Sequence, residues 1–155
     1  MIEETCCFTG HRKLPGNKLR AIESRLDREV KRLIEKGVRE FLCGGALGFD
    51  TLAAMEVIRL REEYPWIRLV LVLPCRNQDR FWNEYYKSIY ERIKSKADEI
   101  IFTSEYYYSG CMFKRNRALV ERSRYCICYL FDTEGGTAYT VDYARKKGLD
   151  IINIY

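Results

Sequence analysis

The sequence predicts an α/β protein: an open, doubly wound sheet, mostly parallel, of about six strands with helices on both faces. Three observations predict it. Short apolar runs alternate with longer amphipathic runs along the whole chain. Several of the short runs are apolar on both faces, as strands buried on both sides of a parallel sheet must be. Most of the glycines fall in the turns that follow the short runs, where the chain leaves a strand to start a helix.

The elements follow in order. Thr5 to Phe8 is the first apolar run. Leu19, Ile22, Leu26, Val30 and Leu33 then fall on one helical stripe, with Arg, Lys and Glu opposite. Gly37 stands just past that helix, where a left-handed cap is wanted. Val38 to Cys43 is the second strand, and a second helix opens near Asp50 and is broken at Pro65. Ile67 to Leu73 is the third strand; Trp82, Tyr85, Ile89 and Ile93 form the next helical stripe. Glu99 to Phe102 is the fourth strand, followed by a long loop containing Tyr106-Tyr107-Tyr108-Ser109-Gly110 and by a helix that Arg115 and Asn116 start. Tyr125 to Phe131 is the fifth strand, Gly135-Gly136-Thr137 opens the last helix, Gly148 ends it, and Asp150 to Ile154 is the sixth strand.

Composition narrows the class. The 155 residues make one domain, 1–155, with no repeats or linkers. Hydrophobic residues are 47% and charged residues 32%, which excludes a disordered chain. No apolar run approaches the roughly 18 residues of a membrane helix. Met1-Ile2-Glu3-Glu4 carries acids where a signal peptide carries bases, so the expectation is a cytoplasmic protein without membrane contact. Lys and Arg number 27 against 22 Asp and Glu, a net charge of +5 that suits an anionic partner. The 7 cysteines read as reduced thiols, with Cys126 and Cys128 on one sheet face. There is no Cys-x-x-Cys, and His11 is the only histidine, so neither a metal nor a cofactor is expected.

Ligands of open α/β sheets bind beyond the C-terminal ends of the strands. The first strand is followed by Thr9-Gly10-His11-Arg12, and the second by Gly44-Gly45-Ala46-Leu47-Gly48-Phe49-Asp50. The third is followed by Pro74 through Gln78, and the fifth by Asp132 through Thr137. Gly135, Gly136 and Thr137 open a helix, where free amides and the helix dipole favour an anion. Gly44, Gly45 and Gly48 could do the same before the second helix; alternatively these glycines only make tight turns, with Asp50 and Thr137 as helix caps. Arg115 offers a bidentate phosphate clamp and Asn116 a polar edge for base or sugar, against the plain alternative of a solvated basic face. His11 and Gln78 are candidates to orient a ligand, Asp50 to hold ribose, and Trp82 either to stack on a base or to join the core. No G-x-G-x-x-G follows the first strand and no G-x-x-x-x-G-K-[ST] is present, which disfavours dinucleotide dehydrogenases and P-loop NTPases.

These segments resemble the SLOG superfamily of Rossmann-like nucleotide-binding proteins, and within it the YpsA-like family. The resemblance rests on Thr9 to Arg12, Gly44 to Asp50 with Leu52-Ala53-Ala54, Pro74 with Gln78 and Trp82, Arg115-Asn116 with Ser123, and Asp132 to Thr137 with Tyr139, Thr140 and Ala144. Ser104 to Ala144 is also similar to the DNA-processing protein DprA, through Ser104-Glu105-Tyr106, Arg115-Asn116-Arg117 and Gly136 to Val141, although Val141 departs from an alanine there. A more distant likeness is to LOG phosphoribohydrolases, whose catalytic Glu corresponds to Thr140 here. The resemblance implies a nucleotide or nucleotide-derived ligand at the sheet edge, in a binding protein or sensor. Its phosphate would lie on Gly135 to Thr137, and Gly10, His11, Arg12, Gly44, Gly45, Gly48, Asp50, Gln78, Arg115, Asn116 and Asp132 would surround it. Two alternatives stand beside that reading. One is an N-glycosidic hydrolase or transferase acting through Asp50, Asp132 or Glu134. The other is a single-stranded nucleic-acid binder using Tyr106 to Tyr108 and Lys114 to Arg117. Exposed aromatics would also be compatible with a homo-oligomer.

Overall fold

The computed structural model describes residues 1–155 and contains one six-stranded sheet, all of its pairings parallel. The strands are β1 (Thr5–Gly10), β2 (Glu40–Cys43), β3 (Arg68–Leu73), β4 (Glu99–Phe102), β5 (Tyr125–Tyr129) and β6 (Asp150–Asn153). Five helices connect them: α1 (Leu19–Glu35), α2 (Phe49–Glu63), α3 (Glu84–Lys96), α4 (Cys111–Glu121) and α5 (Gly136–Lys146). The spatial order is β4-β3-β2-β1-β5-β6. The chain therefore lays down β1 to β4 in one direction, then returns through α4 to place β5 on the free side of β1. The reversal lies between β1 and β5, and the loops leaving those two strands diverge there, opening a crevice at the C-terminal edge.

The two faces are covered unequally. α1, α2 and α3 bury the larger core, which includes Phe8, Leu26, Val30, Phe41, Phe49 and Leu71. α4 and α5 bury the smaller one, built on Cys7, Leu42, Val72, Leu119, Cys126 and Cys128. Cys6 and Cys7, adjacent in β1, point to opposite cores, as the alternation of a strand requires. All seven cysteines are free and buried.

The helix stops are chemical. At the end of α1, Gly37 takes φ 102°, and the Val38 N–H reaches back to the Leu33 carbonyl at 2.9 Å. At the end of α5, Gly148 takes φ 80°, and the Leu149 N–H bonds the Ala144 carbonyl at 3.0 Å. Both are Schellman closures, which satisfy carbonyls the helix leaves free. The third helical stripe differs from its sequence reading. α3 begins at Glu84 under an Asn83 cap, so Trp82 precedes the helix, Tyr85 is exposed, and Tyr90 takes the buried place. Trp82 packs edge-on against Tyr90 at 5.0 Å, the core alternative for that residue.

An aromatic column supports the sheet edge from the α1–α3 side. Phe41 stacks near Phe8 at 6.0 Å, Phe8 meets Phe49 at 6.4 Å, and Phe49 lies over Tyr129 at 6.2 Å. Phe49 is the first residue of α2, and its N–H bonds the His11 carbonyl at 3.1 Å. Gly10 must be a glycine because a Cβ there would overlap the Phe49 ring. Gly10→Ala is therefore expected to destabilise the fold by about 1–3 kcal/mol, the usual cost of overpacking. Gly136→Ala, whose Cβ meets nothing within 4 Å, should be close to neutral by comparison. Urea denaturation of the two variants measures the difference.

Candidate functional site

The crevice at the β1/β5 reversal is a cleft of about 230 Å³ lined by 13 residues, only 2 of them hydrophobic. Its walls are Thr9 to Arg12 from the end of β1 and the turn after it, Ala46 from the β2–α2 turn, Asp50 from the first turn of α2, Met112, Arg115 and Asn116 from α4, and Glu134 to Thr137 from the start of α5. Four segments far apart in sequence meet there because all leave the same edge of a parallel sheet.

The α5 wall is an exposed helix start. Gly135 is its N-cap with φ 94°, a conformation that favours glycine. Tyr139 N–H donates to the Gly135 carbonyl at 3.1 Å, the first bond of the helix. The amides of Gly136, Thr137 and Ala138 precede that bond and have no helical acceptor. Neither Gly135 nor Gly136 has an atom within 4 Å of where a Cβ would stand, so this backbone is open to a ligand.

The α4 wall carries a buried cation. Arg115 lies in the second turn of α4 rather than at its start, and it is 4% exposed. Its Nη1 donates to the Gly44 carbonyl, its Nε to Asn116 Oδ1 at 2.7 Å, and its Nη2 has only the Met112 sulfur at 3.6 Å. A guanidinium has five N–H donors. Arg115 thus keeps unused donors at the cleft and forms no ion pair with a carboxylate. Burial pushes its pKa down, and the nearby Asp50 carboxylate opposes that shift.

Asp50 is the buried anion of the site. Its Oδ2 accepts from the Ala46 N–H at 3.1 Å, a bond that folds the β2–α2 turn back on itself. Burial raises its pKa, against the lowering effects of Arg115, the Ala46 amide and Arg12. Glu134 is the second carboxylate lining the cleft. Thr140 is 1% exposed, and its hydroxyl donates to the Gly136 carbonyl at 2.8 Å, so it serves its own helix and has no reach into the cleft.

His11 joins the two loops of the reversal. Its Nε2 accepts from the Phe131 N–H at 3.2 Å, which leaves the proton of the neutral ring on Nδ1. Its ring lies 4.3 Å from that of Phe131. Burial lowers its pKa, while Asp132 pulls the other way.

Nine of the expected ligand-binding residues meet in this cleft, Gly10, His11, Arg12, Asp50, Arg115, Asn116, Gly135, Gly136 and Thr137, together with Glu134, a carboxylate named for the hydrolase alternative. Five stand outside its lining. Gly44 makes room for the Arg115 guanidinium, and Gly45 for Leu73, Tyr90 and Gln78. Gly48, at φ 78°, passes beneath the Arg12 backbone. Gln78 is buried behind the β2–α2 turn, where its amide donates to Tyr90 Oη at 3.0 Å and to the Gly45 carbonyl at 3.4 Å. Asp132 is exposed, and its side chain accepts from the Thr133 N–H at 2.8 Å. Ala46 and Met112 line the cleft without having been singled out. Met112 was findable, because it lies three residues before Arg115 on the same helix face.

The model of the YspA SLOG family matches residues 6–151. Relatives include a UPF0398 protein of Bacillus pumilus, 34% identical over 83% of this chain and 70% of its own length. The SPbeta prophage-derived protein YoqJ of Bacillus subtilis is 31% identical over 88% of this chain and 83% of its own. Among solved structures, DprA of Streptococcus pneumoniae superimposes with a TM-score of 0.71 at 18% identity, over 96% of this chain. DprA of Helicobacter pylori, studied for its single-stranded DNA binding mode, superimposes with a TM-score of 0.68 at 19% identity, over 97% of this chain and 64% of its own. The chain spans about half, 49%, of the pneumococcal protein's length. At these identities the likeness is one of fold. No helix is long and apolar enough to cross a membrane.

The His11 contact has a pH signature. A pKa held below the ordinary 6.5 means that the folded state prefers the neutral ring. Its stabilising contribution is complete above pH 6.5 and is lost as the pH falls through the lower folded value. Stability should therefore decline below pH 6.5 in a way that His11→Gln flattens. Denaturation midpoints taken across that range check it.

Proposed function

The chain belongs to the YspA SLOG family, and from that premise we propose that it binds a nucleotide or nucleotide-derived ligand by its phosphate in the β1/β5 cleft. The observation that carries this reading is that two anion-seeking groups line one polar cleft. One is the free amides of Gly136 and Thr137; the other is the buried guanidinium of Arg115, its donors incompletely used. A volume of about 230 Å³ is below the ~300–1,000 Å³ of pockets that engulf a drug-sized molecule. The cleft therefore takes the phosphate and sugar and leaves the base toward its open side. In this reading Asp50, its Oδ2 held by the Ala46 N–H, accepts from a ribose hydroxyl.

A second reading has the fold neighbours on its side: the phosphate in the cleft belongs to a single nucleic-acid strand. Both superimposed structures are DprA proteins, and one is described by its single-stranded DNA binding mode. The two readings share the cleft and differ in what extends from it.

Thermal-shift measurements against nucleoside mono- and diphosphates, ADP-ribose, cyclic nucleotides and a short single-stranded oligonucleotide test the proposal. A ligand at 100 times its dissociation constant should stabilise the fold by about 2.7 kcal/mol. Gly136→Val should fold as the wild type and lose at least tenfold in affinity, because its side chain fills the space above the amides. Normal binding by that variant removes the cradle from the reading. Arg115→Ala is the less clean variant, since it also strands the Gly44 carbonyl in the interior. Asp50→Asn separates the two halves of the ligand. It should tighten inorganic phosphate by removing a like charge and weaken a nucleotide that uses the carboxylate for its ribose. Calorimetry with both probes reads the opposite signs, and equal shifts for both would exclude a ribose contact.

A further inference from the structure

A second feature of the same sheet edge is not used by the cleft. Phe81 is 85% exposed and Tyr106 73%, and Tyr107, Tyr108, Tyr85 and Tyr86 are exposed beside them in sequence. They belong to the turn after β3, the start of α3 and the loop after β4. Monomer surfaces seldom gather exposed rings in this way without a partner for them.

The rings around Phe81 and Tyr107 sit on a braced frame. The Tyr107 N–H donates to Asn77 Oδ1 at 3.2 Å, and the Arg76 N–H donates to the Glu105 carbonyl at 3.0 Å. The Arg76 Nε also meets Glu105 Oε2 at 2.6 Å. Three bonds thus tie the β3 turn to the β4 loop. Between them Arg80 stacks on two rings, 4.6 Å from the centre of Phe81 and 4.3 Å from that of Tyr107. The one hydrogen bond of its guanidinium is to the Asn77 carbonyl at 3.4 Å, and it has no carboxylate partner. An uncompensated cation held against exposed ring faces is the pairing that single-strand binders use for phosphates and bases.

The platform is tied to the cleft through the chain. The Cys111 N–H bonds the Tyr108 carbonyl at 3.1 Å, so the β4 loop runs directly into the first turn of α4. The next residues of that helix, Met112, Arg115 and Asn116, are the cleft wall.

We propose that Phe81, Tyr107 and Arg80 form a stacking platform for the bases of a single-stranded nucleic acid whose phosphate occupies the cleft. The proposal rests on the anion-binding reading of that cleft and extends it from one nucleotide to a strand. The two rings stack bases, and Arg80 takes a phosphate beside them.

Two probes test it: thymidine 5′-monophosphate by calorimetry, and a fluorescent octathymidylate by anisotropy. The octamer should bind at least tenfold more tightly than the mononucleotide. Phe81→Ala and Tyr107→Ala, both surface truncations, should each weaken the octamer by about tenfold, the scale of losing one stacked base. They should leave the mononucleotide within twofold, whereas Gly136→Val should weaken both. An octamer bound no more tightly than the mononucleotide, or bound normally by both platform variants, overturns the platform. Octamer binding lost in Phe81→Ala but intact in Gly136→Val overturns the cleft reading, and the continuous strand with it. Self-association in sedimentation that Phe81→Ala abolishes, with octamer binding unchanged, assigns the rings to a second copy of the chain and also overturns the proposal.

Discussion

A guanidinium buried at the edge of the sheet sets the terms for everything around it. Withdrawing such a charge from water costs several kcal/mol unless it is paired and hydrogen-bonded. Arg115 meets that cost with the Gly44 carbonyl, the Asn116 side chain and the field of Asp50. The bond to Gly44 links α4, on one face of the sheet, to the turn that starts α2, on the other. It also dictates the sequence of that turn, because a Cβ at position 44 would stand in the guanidinium. The carboxylate opposite is held by the Ala46 amide and owes its raised pKa to the same burial. The cation, its acceptor and its counter-charge thus form one unit whose parts come from two connections of the sheet, β4–β5 and β2–β3.

The glycines of this edge divide into two kinds, those that make room for the protein's own atoms and those that stand beside open space. Gly10, Gly44, Gly45 and Gly48 are small because other parts of the protein occupy the space: Phe49, Arg115, the Leu73–Tyr90–Gln78 group and the Arg12 backbone. Gly135 and Gly136 are small with nothing nearby. The first group locks the β1 and β2 turns together; the second leaves a helix start bare. In sequence the two kinds look alike, since a glycine after a strand serves a close approach whether the approaching atoms belong to the protein or to a ligand.

The limits of reading the sequence have the same origin. Strands and helices were legible because their signals are local: runs apolar on both faces, a 3.6-residue stripe, a glycine past the last turn. The position of the cleft was legible because parallel topology sends every βα turn to one edge. Which turn residues face the cleft was not. Gln78 follows β3 and Asp132 follows β5, yet one is pulled behind the β2–α2 turn by Tyr90 and the other stays at the surface. Tyr85 fitted the helical stripe, but a helix that starts only at Glu84 rotates the buried face onto Tyr90. In sequence Arg115 fits either a phosphate clamp or a solvated basic face, and its burial depends on a carbonyl 71 residues away in the chain.

The distribution of polarity along the edge has a consequence for the kind of ligand it suits. The cleft has almost no apolar lining and holds charges of both signs, so it can reward a phosphate and a sugar but gains little from burying a base. The adjoining small pocket, walled by Trp82, Ile89 and Tyr90, has a free volume of only about 10 Å³ and is filled by its own packing. A planar apolar group tied to a phosphate in the cleft therefore finds no enclosed place beside it. Ring surface is offered instead on the outside, where Phe81 and Tyr107 flank the Arg80 guanidinium. Stacking on an open face is tolerant of which base is presented, whereas an enclosed pocket selects one. On the proposed reading, an edge that joins a small polar cleft to an open ring surface suits a phosphate backbone with little regard to its sequence.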